Sequence, residues 1–141
     1  MKPYHSTKHI LLIDQQPFWR EVSFQALRSA GFLISILDTY NYLPSRDFLN
    51  EDNPDLVVLG CVQIGPEEQR LISQLLALKQ HLLVVSASLS WQMMRTLFLQ
   101  GVDDIVNKPD EPASLVKIVN QTIESTVPHN SYQAVERYGV G

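Results

Sequence analysis

Residues 54–61 read PDLVVLGC, and this stretch decides the fold that the sequence predicts. Its central part, DLVVL at 55–59, is an unbroken β-branched and leucine run, which is typical of a strand buried on both faces of a parallel sheet. Ligands of such sheets bind beyond the carboxyl ends of the strands, so the residue at the exit often carries the chemistry. Here the exit is Gly60, which has no side chain. It could be a site, the remnant of a site, or a turn.

Similar apolar runs alternate with amphipathic segments on both sides of this stretch. The segment after the second run is a poor helix sequence, because it contains Pro44 and several Asn and Asp residues. Alternation of strands and helices is typical of βαβ units on a parallel sheet. The sequence therefore predicts an α/β fold, a (βα)₅ doubly wound sheet of five parallel strands. The predicted strands are 9–13, 32–37, 55–59, 82–86 and 103–107.

Local signals predict where the helices begin and end. Pro17 can open the first helix and Gly31 can close it, while Ser90 can cap the fourth helix and Gly101 can end it. Apolar residues recur at helical spacing at Phe18, Val22, Ala26 and Ala30 in the first helix, at Leu71, Leu75 and Leu78 in the third, and at Leu115, Val119 and Ile123 in the fifth.

Composition limits the class of protein. A chain of 141 residues, 45% hydrophobic and 18% charged, suits one domain, which we expect in 1–126, with 127–141 as a tail or the start of a linker. The net charge of -4 and the lack of a basic cluster argue against direct nucleic-acid binding. The apolar runs are far shorter than the ~20 residues of a membrane helix. With a single cysteine, Cys61, we expect a cytoplasmic protein without an internal disulfide.

Four segments resemble, in order, the receiver domain of bacterial two-component response regulators. The resemblance spans about residues 8–126 and implies a flavodoxin-like, receiver-like fold. In that family an acid pair, a phospho-accepting aspartate, a hydroxyl and a lysine meet in one pocket, where the aspartate attacks a phosphoryl group and Mg²⁺ neutralises its charge. The segments are HILLIDQQPFWRE at 9–21, PDLVVLG at 54–60, LLVVSAS at 82–88 and GVDDIVNKPDEPASL at 101–115.

The resemblance fails at the residues that carry this chemistry. Asp14 matches the first acid, Ser86 the hydroxyl and Lys108 the lysine, but Gln15 stands where the second acid belongs and Gly60 stands where the phospho-acceptor belongs. Because glycine has no nucleophile and glutamine has no charge, we expect neither aspartyl phosphorylation nor strong Mg²⁺ binding. The sequence thus predicts no enzyme activity, no cofactor and no metal.

Two further positions depart from the family pattern. Ile64 stands where a proline usually follows the acceptor loop, and Ile105 stands where a switching Tyr or Phe is common. We therefore interpret the chain as a pseudo-receiver that acts through protein contacts, by forming a homodimer or by docking on another regulator. The family implies a contact surface on the fourth helix, fifth strand and fifth helix, here with Trp91, Met94, Arg95, Lys117 and Gln121.

Several alternatives remain open at this point. Gly60 is also compatible with a tight turn, and Cys61 is more simply a packing residue than a nucleophile. Asp14 and Lys108 could hold a small anion, but opposite charges in a crevice more often pair with each other. The chain could instead be the receiver-like part of a transcription factor whose DNA-binding domain is absent here. A flavodoxin-like enzyme or ligand binder is disfavoured, since DQQPFW at 14–19 is not a phosphate-binding loop.

Overall fold

The computed structural model of the chain describes residues 7–38 and 54–126. The helix predicted after the second strand lies outside these residues, as does the tail 127–141. The helices α2, α3 and α4 named below therefore correspond to the third, fourth and fifth helices of the sequence prediction. The elements are β1 (His9–Asp14), α1 (Pro17–Ser29), β2 (Leu33–Leu37), β3 (Leu56–Cys61), α2 (Pro66–Ala77), β4 (Leu82–Ser86), α3 (Trp91–Gln100), β5 (Asp104–Asn107) and α4 (Pro112–Ser125).

The five strands form one parallel sheet in the order β2-β1-β3-β4-β5. This order confirms the predicted doubly wound α/β fold. The strands differ from their predicted bounds by at most two residues, and the largest difference is at β3, which continues through Gly60 to Cys61. Among the described residues, no helix has the length and apolar character needed to cross a membrane.

Alternation along the strands divides the core between the two faces of the sheet. Val57, Leu59 and Cys61 of β3 pack on the side of α2 and α3, whereas Leu56 and Val58 pack on the side of α1 and α4. Each such apolar side chain contributes roughly 1.5–3 kcal/mol when it is fully removed from water. Both faces of the central strands are covered by helices. Side chains that line an open crevice must therefore lie at the strand ends, and in such sheets the crevice lies at the carboxyl ends.

The predicted helix signals are present. Pro17 opens α1, and the Ser90 hydroxyl accepts a hydrogen bond of 3.1 Å from the backbone N–H of Met93. Gly31 and Gly101 lie just beyond α1 and α3 with φ of 101° and 114°, which favours glycine.

The buried face of α1 differs from the apolar spacing in its sequence. Ser23 and Leu27 are its buried residues, whereas Phe18 is 80% exposed. The apolar series that begins at Phe18 therefore does not form the core face of α1. In α4, by contrast, the predicted stripe is buried at Leu115, Val119 and Ile123.

Candidate functional site

The strand register brings the predicted site residues to one edge of the sheet. Asp14 at the end of β1 is paired with Gly60 of β3, and Ser86 at the end of β4 is paired with Cys61. Lys108 follows β5, and its backbone N–H donates a hydrogen bond of 2.9 Å to the carbonyl of Ser86. The register of the parallel sheet thus brings these residues to the same edge.

The carboxyl group of Asp14 occupies the space above Gly60. Asp14 is fully buried, and a Cβ added to Gly60 would lie 2.1 Å from its Oδ2 atom and 2.8 Å from its Cγ atom. Gly60 lies inside β3, and the described glycines with positive φ are Gly31 and Gly101. The interpretation of Gly60 as a tight turn is therefore wrong. Glycine is needed at position 60 because the Asp14 side chain leaves no space for a Cβ atom, and not because of the backbone conformation.

Asp14 is fixed by contacts on both sides of its carboxylate. The backbone N–H of Gln16 donates a hydrogen bond of 2.9 Å to Oδ1, and the Nζ atom of Lys108 lies 3.6 Å from Oδ2. This ion pair confirms the predicted pairing of Asp14 with Lys108. At 3.6 Å it supplies charge without a hydrogen bond, so Oδ2 has no hydrogen-bond partner within the described part of the chain.

The environment of Asp14 disfavours its charged form. Burial raises the pKa of this carboxyl above its usual 3.8, and this effect outweighs the Gln16 hydrogen bond and the nearby charges of Lys108 and Arg20, which lower the pKa. The guanidinium of Arg20 also donates a hydrogen bond of 3.0 Å to the backbone carbonyl of Asp14. The negative charge at the site therefore depends on its cationic neighbours.

Two further residues hold Lys108, and sequence reasoning did not identify them as its partners. The Nζ atom of Lys108 donates a hydrogen bond to Oε1 of Gln16 and lies 5.1 Å from the centroid of the Trp19 ring, within the range of a cation–π interaction. Both residues belong to the DQQPFW segment after β1. Both residues are visible in the sequence, but nothing in their spacing identifies Lys108 as their partner.

Ser86 and Ile105, two other residues of the predicted site, take part in local hydrogen bonds and in core packing. Ser86 is fully buried, and its Oγ lies 3.2 Å and 3.0 Å from the carbonyl oxygens of Val62 and Ser88. Gln15 is exposed, whereas Ile105 is 4% exposed and packs in the core cluster that faces α2 and α3. Among the predicted pocket residues, Asp14 and Gly60 are thus direct strand partners, and Lys108 joins them through its ion pair with Asp14.

Cys61 belongs to the core and not to the crevice. It is 1% exposed, and burial raises the pKa of its thiol to about 11. At neutral pH the thiolate fraction is therefore very small, which makes Cys61 a poor nucleophile. The prediction that Cys61 is a packing residue is confirmed.

The predicted contact residues differ in their exposure. Trp91 is 68% exposed, but Met94 is half-buried and packs against the core cluster beneath α3. Sequence reasoning missed Leu99, which is 76% exposed on the same helix, and Phe98 beside it is 44% exposed. The other predicted contact residues, Arg95, Lys117 and Gln121, are all exposed.

The donor set does not fit a divalent cation of the kind that the receiver resemblance implies. A site for Mg²⁺ needs several oxygen ligands, usually with more than one carboxylate. Asp14 provides one buried carboxylate, and the ammonium group of Lys108 already lies 3.6 Å from it. Within residues 7–38 and 54–126, no group of three His, Cys, Asp or Glu side chains could hold a metal ion.

Comparison with solved structures shows that the fold is that of response regulator receiver domains. A response regulator from Thermotoga maritima superimposes with a TM-score of 0.71 at 21% identity, covering 85% of this chain and 100% of the other. A CheY-like receiver domain protein from Methanospirillum hungatei JF-1 gives 0.69 at 18% identity, covering 85% and 96%. An orphan response regulator of H. pylori gives 0.68 at 19%, covering 82% and 96%.

These likenesses concern the fold, because all three identities are low. No protein-family model matches the sequence. No curated protein matches it either. Function must therefore be argued from the site itself.

Proposed function

We propose that this chain is a pseudo-receiver, a signalling module of a two-component-like pathway that works without phosphorylation. One observation carries the proposal: Gly60 stands at the acceptor position, and the carboxyl group of Asp14 fills the space that any larger residue there would need. The acceptor position therefore lacks a nucleophilic side chain, and the carboxyl group of Asp14 also leaves no room for one there. The receiver fold supports the signalling role.

The neighbouring carboxylate is a poor substitute for the missing acceptor. Asp14 is fully buried and faces Lys108, so a phosphodonor has no path to its oxygens. Ser86 is engaged by loop carbonyls, and Ile105 has no ring that could change rotamer in response to a phosphoryl group. Regulation must then come from partner binding or concentration, because a ligand shifts an equilibrium only through its differential affinity for two states.

The proposed contact surface consists of α3, β5 and α4, and its occupant is a second copy of this chain or another regulator. Exposed aromatic residues often anchor protein interfaces, and Trp91 is 68% exposed at the start of α3. Leu99 and Phe98 on the same helix add exposed apolar area. The exposed polar residues Arg95, Lys117 and Gln121 would lie around this apolar part.

Incubation with acetyl phosphate and Mg²⁺, or with beryllofluoride and Mg²⁺, is expected to leave the protein unmodified and its melting temperature unchanged. The reason is the absence of a carboxylate at positions 15 and 60 together with the occupied space above Gly60. Intact mass and thermal unfolding check both arms, with an active receiver domain as the positive control. Acid-labile phosphate at stoichiometric amounts would contradict the proposed function.

Replacing Trp91 with Ala is expected to weaken self-association or partner binding by more than about 1 kcal/mol, a factor of about five, while leaving the fold intact. Sedimentation equilibrium measures the change. Phe18→Ala is the matched control, because Phe18 is an exposed aromatic residue on a different helix. Met94→Ala is a less selective variant, since Met94 also packs against the core. Equal association of parent, Trp91→Ala and Phe18→Ala would remove α3 from the contact surface.

A further inference from the structure

The contacts of Lys108 connect two distant parts of the sheet. Lys108 follows β5, which is an edge strand, whereas Asp14 ends β1, Gln16 comes shortly after it and Trp19 lies in the first turn of α1. Both β3 and β4 lie between β1 and β5. The ammonium group is nonetheless in contact with the carboxylate of Asp14, the side-chain oxygen of Gln16 and the ring of Trp19. The lysine side chain therefore reaches across the crevice from one loop to the other.

We propose that Gln16 and Trp19 form with Lys108 an internal latch that closes the crevice and fixes the segment between β5 and α4. Gln16 and Trp19 act as positioning residues, because they hold Lys108 over Asp14 without themselves reacting with a ligand. The three contacts differ in kind: an ion pair, a hydrogen bond and a cation–π contact. Together they take the place of the hydration that an exposed lysine keeps.

Burial makes the latched arrangement the favoured one. Only 11% of the Lys108 side chain is exposed, and Asp14 is fully buried. Moving Lys108 out to solvent would leave the Asp14 carboxylate buried without its nearest cation, and an unpaired buried charge is strongly destabilising. Trp19 is itself anchored, since it packs against the core cluster on the α1 and α4 side of the sheet. The latch is thus stabilised by the packing of Trp19 on the core and by the ion pair of Lys108 with Asp14.

The latch has a consequence for the surface next to it. Lys108 is followed after three residues by the first residue of α4, Pro112, so a fixed Lys108 limits how the start of α4 can move. A partner that bound the crevice would have to displace Lys108 from all three contacts. The latch consists of these contacts alone and is independent of the proposed function.

The experiment measures how fast lysines of the folded protein react with an amine acylating reagent, read by peptide mass spectrometry. Lys79 and Lys117 are exposed and serve as internal references. In the parent protein Lys108 is expected to react at least about tenfold more slowly than Lys117, because reaction requires local opening. Gln16→Ala and Trp19→Leu should each bring the Lys108 rate closer to the Lys117 rate, with leucine keeping apolar packing but removing the ring face.

Phe18→Ala is the matched control, because Phe18 neighbours Trp19 but is 80% exposed, and it should leave the Lys108 rate unchanged. Amide exchange of β3 and β4 verifies that each variant is folded, and if Trp19→Leu is not, Gln16→Ala decides. A Lys108 as reactive as Lys117 in the parent, or a rate unaffected in the folded variants, overturns the latch. Phosphate incorporation tests the proposed function separately, so the two failures are distinguishable.

Discussion

Replacing Gly60 with Ala is expected to lower the free energy of unfolding by about 2–4 kcal/mol, which is large for the addition of one methyl group. The new Cβ would lie 2.1 Å from Oδ2 and 2.8 Å from Cγ of Asp14. Asp14 cannot move away without loss, because Oδ1 accepts the Gln16 N–H and Oδ2 faces Lys108. The substitution must therefore break these contacts or displace the backbone of β1 or β3.

Urea-induced unfolding of parent and variant measures the change. Gly65→Ala is the matched control, because Gly65 has φ of -100° and an added Cβ would lie 3.3 Å from a side-chain oxygen of Glu68. That variant should change the stability by less than about 1 kcal/mol. In an Asp14→Ala background, where this space is empty, Gly60→Ala should cost much less stability than it costs in the parent protein. A Gly60→Ala variant as stable as the parent would show that the Asp14 side chain can move aside without loss of stability, which would contradict this prediction.

The same geometry predicts that the acceptor cannot be restored by one substitution. Gly60→Asp places a Cβ in the same position as Gly60→Ala, so Asp14 must first be moved or shortened. An attempt to recover phosphorylation therefore has to restore carboxylates at positions 15 and 60 together and must also displace the carboxyl group of Asp14 from the space above residue 60.

The sheet could be predicted from the sequence because strands buried on both faces leave a simple apolar signal. The runs at β3 and β4 are of this kind, and the structure places strands at both. The carboxyl end of β3 was less accessible to prediction, because Gly60 has low strand propensity and reads as an exit from the strand. Pairing of Gly60 with Asp14 and of Cys61 with Ser86 extends the strand instead.

The buried face of α1 shows why apolar spacing alone can mislead. Phe18 and Val22 lie at helical spacing, but the buried residues are Ser23 and Leu27. A serine is small enough to let the helix approach the sheet, and its packing leaves no signature in a hydrophobic pattern. A signature was likewise lacking for the contacts of Lys108 with Gln16 and Trp19. These contacts depend on a long lysine side chain that reaches over two strands. The local spacing of residues in the sequence does not indicate which distant residues such a side chain contacts.

Removing the positive charge of Lys108 is expected to lower the stability nearly as much as Gly60→Ala does. Lys108→Met keeps most of the apolar stem but leaves Asp14 buried without its nearest positive charge, so the free energy of unfolding at neutral pH should fall by about 3 kcal/mol. Lys117→Met is the matched control, because Lys117 is exposed on α4 and should change stability by less than about 0.5 kcal/mol. Chemical unfolding at several pH values measures both variants.

The pH dependence of that loss distinguishes a buried charge from a simple packing defect. Burial already raises the pKa of Asp14, and losing Lys108 removes one of the interactions that lower it, so the carboxyl takes up a proton more readily in the folded variant. A group with a raised pKa in the folded state favours folding at acid pH, and this contribution is lost as the pH rises through that pKa. The deficit of Lys108→Met should therefore shrink as the pH falls from neutral towards the raised pKa of Asp14.

A packing defect would instead give the same deficit at every pH. Combining Lys108→Met with Asp14→Asn completes a double-mutant cycle, and because the neutral amide needs no cation, the double variant should regain most of the loss at neutral pH. If Lys108→Met and Lys117→Met were equally stable, or if Asp14→Asn failed to rescue the former, the charge of Asp14 would not depend on Lys108.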